Sequence, residues 1–198
     1  MKSVTIGLLI ALSAVGNLRA DTPVAPFAFV APSLSGMYFF EMIPPQWNSS
    51  KDGLLDNGHG VAYQLLRDGS QKELWRTDGW YSGRIFLAEG GVFLVRLEPE
   101  KEGHHVSQGD LALAFYRNGT LIKQYSTTDL VKNPEKIAST VSHYYWLAGD
   151  VQRVRGQGTG GKDFDADAEP RLLLDSTFRL KTCDGLVHVF DVTSGNLK

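Results

Sequence analysis

The densest run of potential ligands in the chain is Asp163-Phe164-Asp165-Ala166-Asp167-Ala168-Glu169. Its carboxylates fall at alternate positions, and Gly156, Gly158, Gly160 and Gly161 precede them. A glycine-rich loop with that spacing can wrap several oxygens around a hard cation such as Ca²⁺. Asp163, Asp165, Asp167 and Glu169 are therefore the metal-ligand candidates, and Ca²⁺ is the cofactor they suit. The fit is partial, because Ala168 stands where a self-closing calcium loop needs its turn glycine and the distant bidentate glutamate is missing. The same residues also read as a solvated acidic loop.

Other chemistry is sparser. His59 lies between Gly58 and Gly60, His104 and His105 are neighbours, His143 precedes Tyr144-Tyr145-Trp146, and His188 sits in an apolar run. Zinc sites pair ligands at short fixed spacings, whereas neighbours on an extended chain point apart. Ser82 in Gly79-Trp80-Tyr81-Ser82-Gly83 lacks the spacing of a nucleophile elbow. Cys183 and His188 flank the Asp184-Gly185 turn, which sets His188 opposite Lys181. Gly156 to Gly161 lack the Lys-Ser/Thr pair of a phosphate loop. An enzyme here would need a site gathered from scattered loops, with His59, His104 and the 163–169 carboxylates among its members.

Aromatic side chains offer a different use. Trp47, Trp75, Trp80 and Trp146, with Tyr81, Tyr144 and Tyr145, form local groups. Such rings stack on sugars or grip a partner when exposed, and fill a core otherwise. Trp80 and Tyr81, beside Gly79, are the pair expected at the surface as binding residues.

The first 20 residues set the compartment. Lys2 supplies a short positive region, Val4 to Val15 is an apolar run, and Leu18-Arg19-Ala20 ends on a small residue. That pattern predicts a signal peptide cleaved before Asp21, and the run is too short to span a bilayer. The mature protein is then exported, periplasmic or secreted, with no membrane span. The formal net charge of the whole chain is −2. Loss of Lys2 and Arg19 makes it more acidic, so no basic surplus exists to neutralise a phosphate backbone. Nucleic acid is excluded as the expected partner. The single cysteine, Cys183, allows no intramolecular disulfide.

Residues 21–35, rich in Pro and Ala, read as an irregular leader, and 36–198 as one all-β domain. Asp68-Gly69, Asn118-Gly119, Asp184-Gly185 and the pair Gly90-Gly91 separate β-rich runs. Such dipeptides favour hairpin turns because glycine accepts positive φ without a steric penalty. An antiparallel meander of about ten strands follows. In the 118–119 hairpin, Leu111, Leu113, Phe115 and Ile122 should share one face, and Ala112, Ala114, Tyr116, Leu121 and Tyr125 the other. Both faces are apolar, so other sheets should cover both, as in packed sheets or a propeller. Asn133 before Pro134-Glu135 reads as a helix start, with 126–142 a short helical connector.

Trp80 to Arg96 resembles the inner strands of a β-propeller blade, where a serine-containing strand turns into an apolar one. Thr182 to Gly195 resembles a blade's outer hairpin with its aromatic-Asp-Val-x-x-Gly close. The chain is also similar to a group of bacterial exported proteins of unassigned function that share a Gly-Trp-Tyr strand, an Ala-Phe-Tyr strand and a Tyr-Ser-Thr-x-Asp-Leu-Val connector. The resemblance implies propeller-like sheets and brings no catalytic or binding residue. A blade takes about 40 to 45 residues, so 36–198 fits an open meander better than a closed ring. The functional expectation is a non-enzymatic binding or scaffold module for a protein or glycan. An exported hydrolase or metal-dependent enzyme is the alternative.

Overall fold

A computed structural model describes residues 25–48, 53–103, 105–155 and 165–198. The expected cleavage site and the glycines at 156–161 lie outside these residues. In chain order the strands begin with β1 (Phe29–Pro32), β2 (Tyr38–Ile43), β3 (Gln46–Asn48), β4 (Gly53–Asp56), β5 (His59–Leu65) and β6 (Gln71–Asp78). Next come β7 (Arg84–Leu87), β8 (Phe93–Leu97), β9 (Glu100–Glu102), β10 (Leu111–Arg117) and β11 (Thr120–Ser126). The last are β12 (Ala138–Ser139), β13 (His143–Tyr145), β14 (Arg171–Leu172), β15 (Thr177–Lys181) and β16 (Val187–Asp191). Helix α1 (Thr127–Leu130) follows β11, and α2 (Ala148–Val154) follows β13.

The fold is all-β, as expected, and its sheets are antiparallel meanders. Their orders are β1-β2-β5-β6, β11-β10-β8-β7, β12-β13-β9 and β14-β15-β16, with β3-β4 a separate hairpin. Among the described residues sixteen strands replace the expected ten or so, because several span only two or three residues and leave no periodic pattern to read. One strand lies in the expected leader. Phe29–Pro32 pairs with Phe39–Met42, with Ala31 buried. Pro32 is tolerated there because β1 is an outer strand, where a missing N–H costs no ladder bond.

The turn at Asn118-Gly119 is the expected two-residue hairpin, with both residues at positive φ (47° and 78°). The other Asp-Gly turns are wider. At 66–70 and 182–186 the first residue's N–H donates to the carbonyl four residues on, and only the glycine has positive φ. The 173–177 turn has the same bonding with Ser176 (φ 59°) in the glycine position.

The helical connector forms in shorter pieces. Ser126 and Asp129 cap α1 reciprocally, satisfying two N–H groups that the first turn leaves free. Asn133 caps a single 3₁₀ turn, Pro134–Lys136, rather than a helix reaching Ser139, because the chain enters β12 at Ala138. Helix α2 was not expected from the sequence. Its cap residue Leu147 makes no side-chain cap, so no capping signal precedes it.

The β11-β10-β8-β7 sheet lies between two apolar clusters. Leu113, Phe115, Val95 and Leu97 pack on one side with Trp146, Phe178 and Phe190. Ala114, Tyr116, Leu94 and Ile85 pack on the other with Phe40, Met42 and Trp75. Cover on both faces of β10 is thus present. Two details of the expected faces change. A bulge between Leu111 and Leu113 reverses the alternation, so Ala112 joins Leu113 while Leu111 joins Ala114. Leu121 and Ile122 on the outer strand β11 are exposed, and a second irregularity between Phe115 and Tyr116 sets Tyr125 opposite Leu113, where its ring meets Phe115 and Phe190.

Candidate functional site

The expected exposed pair, Trp80 and Tyr81, is half-buried and committed to the fold. The Trp80 ring lies between Phe40 (centroids 6.3 Å) and Tyr116 (5.4 Å), and its Nε1 donates to Thr77 Oγ1 (2.9 Å). Arg96 sits 4.6 Å over the same ring. Tyr81 donates its hydroxyl to Phe27 O (3.0 Å) and so ties down the N-terminal segment. Trp75 and Trp146 donate their indole N–H groups to Gly91 O and Glu98 O inside the core. Trp47, 71% exposed on the β3–β4 hairpin, is the tryptophan that faces solvent.

Three carboxylates of the acidic run, Asp165, Asp167 and Glu169, are described, and each meets a cation. Lys181 Nζ reaches Asp165 Oδ2 at 2.8 Å, and this bond holds the Asp165 carboxyl below its usual range. Asp167 accepts from Arg171 (2.9 Å) and Arg179 (3.4 Å), and Glu169 pairs with Arg153. The three carboxylates diverge onto cations from β14, β15 and α2 instead of converging on one point. Among the described residues no three His, Cys, Asp or Glu side chains gather in a form that could hold a metal ion. Asp163 and His104 lie outside the described residues.

The other candidates are local. His59 Nδ1 bonds Asp56 Oδ2 (3.0 Å), and buried His143 bonds Ser142 Oγ (2.7 Å) through Nδ1. Burial, with Asp184 alongside, pushes the Cys183 thiol up to about 11, so it is not a thiolate at neutral pH. Ser82 spends its hydroxyl on Leu97 O (2.8 Å) within the fold.

Among the surface features that packing leaves open at the described residues is a groove of about 550 Å³ lined by residues 31–34, 85–87 and 170–172. That volume is typical of ligand sites. Three sheets present their outer strands to it or beside it: β1, β7 and β14. Register shows which backbone groups face outward. Ala88 N–H donates to Phe93 O, so alternation assigns Arg84 and Phe86 to bonding with β8. The N–H and C=O of Ile85 and Leu87 then point away from β8. Leu173 N–H donates to Thr177 O, which by the same rule turns the backbone of Leu172 away from β15. Exposed Leu34 and half-buried Phe86 and Leu172 supply apolar walls.

A smaller continuation of about 280 Å³ runs past Arg84 and Glu169. There Asp150 accepts from Arg84 (3.3 Å) and from Arg153, joining β7 to α2. Burial pushes the Asp150 carboxyl upward, against the pull of the two guanidiniums. Through Asp150 and Arg153 the network links Arg84 and Glu169, which line the continuation. Sequence reading missed this site because it consists of backbone edges brought together by packing, with no motif in 170–172.

Among the described residues no helix is long and apolar enough to cross a membrane. No protein-family model matches the chain, and no curated protein or solved structure shows significant similarity to it.

Proposed function

We propose that this is an exported binding module that takes an extended segment of a partner protein into the groove by strand addition. The supporting observation is the groove itself, where the outward backbone groups of Ile85, Leu87 and Leu172 meet apolar walls. Unpaired strand edges template another chain through main-chain hydrogen bonds, and pockets for alternate side chains add selectivity. Residues 1–20 support the export part of the reading. A protein is preferred to a glycan because the ring pair expected to stack on sugar is packed into the fold.

The test uses a randomised octapeptide pool drawn from Val, Ile, Leu, Phe, Thr and Ser, passed over immobilised protein. Wild type should retain peptides with apolar residues at alternate positions, and Leu34→Asp should lose them while melting normally. Equal retention by both proteins, or none by either, would remove the reading.

A further inference from the structure

The groove has one charged side chain among its described lining residues, Arg171, at the end formed by β14. Its side chain is 46% exposed, and that of its partner Asp167 is still more exposed. That single carboxylate also serves Arg179 at 3.4 Å. Arg179 also feels the nearby Asp165 carboxylate, so Asp167 is not its sole counter-charge, and Arg171 shares its one described acid with a second arginine. An exposed ion pair is weak because water already solvates both partners, so a ligand can replace Asp167 at small cost. A guanidinium presents a planar fork that a carboxylate fits with two parallel hydrogen bonds.

We infer that the extended segment bound in the groove carries a carboxylate that seats on Arg171. This inference rests on the proposed strand-binding role of the groove and adds its charge selectivity. The apolar part of the segment lies along residues 31–34 and 85–87, none of which carries a charge. Arg179 keeps Asp167 when the ligand arrives, so no buried charge is stranded. The carboxylate is supplied either by an Asp or Glu side chain or by a chain terminus, and Arg171 meets the same two oxygens in each case.

The experiment uses the octapeptide pool in three forms: free C-terminus, amidated C-terminus, and amidated with one Glu at a random position. Retention on wild type, Arg171→Gln and Arg171→Lys is read by mass spectrometry, and thermal melts check that each variant folds. On wild type, at least one carboxylate-bearing pool should be retained about tenfold better than the plain amide. Which of the two it is identifies the source of the carboxylate. The advantage should vanish in Arg171→Gln and survive in part in Arg171→Lys. Equal retention of all three pools on wild type would overturn the charge selectivity and leave the groove reading standing. A carboxylate preference that persists in Arg171→Gln would also overturn it. Failure of every pool on wild type would instead remove the groove reading on which this inference stands.

Discussion

Strands β10 and β7 belong to one sheet, separated only by β8, yet the fold uses them differently. Residues 112–116 of β10 are buried, and β10 is paired on both sides. β7 is paired on one side, and alternate backbone groups on its other side turn away from β8, at Ile85 and Leu87, which line the groove while only 7% and 2% exposed. Both strands are apolar, so hydrophobicity alone does not distinguish them. The difference is where hydrogen bonding stops. In this molecule the candidate site is an unfinished edge, while the carboxylates, histidines and tryptophans that first suggest chemistry mostly serve the fold.

The sharpest test of that contrast is a pair of truncations. Phe115, fully buried against Phe178 and Phe190, should lose about 3–5 kcal/mol as Phe115→Ala in chemical denaturation. Leu34→Asp, on a side chain 60% exposed at the groove, should stay within about 0.5 kcal/mol of wild type. Comparable losses from both would mean the groove wall is part of the core.

A smaller effect separates two turns. A Cβ at Gly119 would lie 2.5 Å from Arg76 O, whereas one at Gly185 would meet nothing within 4 Å. Gly119→Val should therefore cost more than about 2 kcal/mol, through steric clash added to positive φ. Gly185→Val should show only the conformational part, about 1–2 kcal/mol. Equal melting temperatures would place the two hairpins in equivalent surroundings and contradict the packing of β11's turn on Trp75 and Arg76.

The reach of sequence reading follows the same division. The 118–119 turn was legible because two residues at positive φ demand that dipeptide, and the apolar faces of β10 announced cover on both sides. The bulge at 111–113 was not, since it changes which face a residue takes without changing composition. Carboxylates at 165–169 were visible, but their partners Lys181, Arg179 and Arg153 come from β15 and α2 and meet them only in three dimensions. The groove was hidden for a similar reason. A free N–H or C=O is a property of where a strand sits in its sheet, and every residue type carries both.

A pH effect probes the sealed side. Burial holds the His188 imidazole below its usual pKa, with Asp184 and Lys132 acting in opposite directions. The unfolded chain takes its proton near 6.5, so below that pH it binds more protons than the fold does. The His188 contribution is present above this range and lost as pH falls. Melting temperature should drop between pH 7 and pH 5, and His188→Phe, which keeps a ring against Phe190, should flatten that drop. An unchanged slope in the variant would assign the acid sensitivity elsewhere. Smaller still, Ser176→Gly should raise stability by about 0.5 kcal/mol by relieving the left-handed backbone at φ 59°. A loss on that substitution would show that the serine hydroxyl matters more than the backbone.

Residue-resolved hydrogen exchange at β7 reads the unpaired side of this strand itself. With their N–H groups turned away from β8, Ile85 and Leu87 should exchange rapidly in the free protein, while Phe86, bonded to β8, should be protected. A peptide retained by the groove should slow Ile85 and Leu87 by about tenfold or more and leave residues 112–116 of β10 unchanged. Protection of Ile85 and Leu87 already in the free protein, or a bound peptide that leaves their rates untouched, would contradict strand addition at this edge.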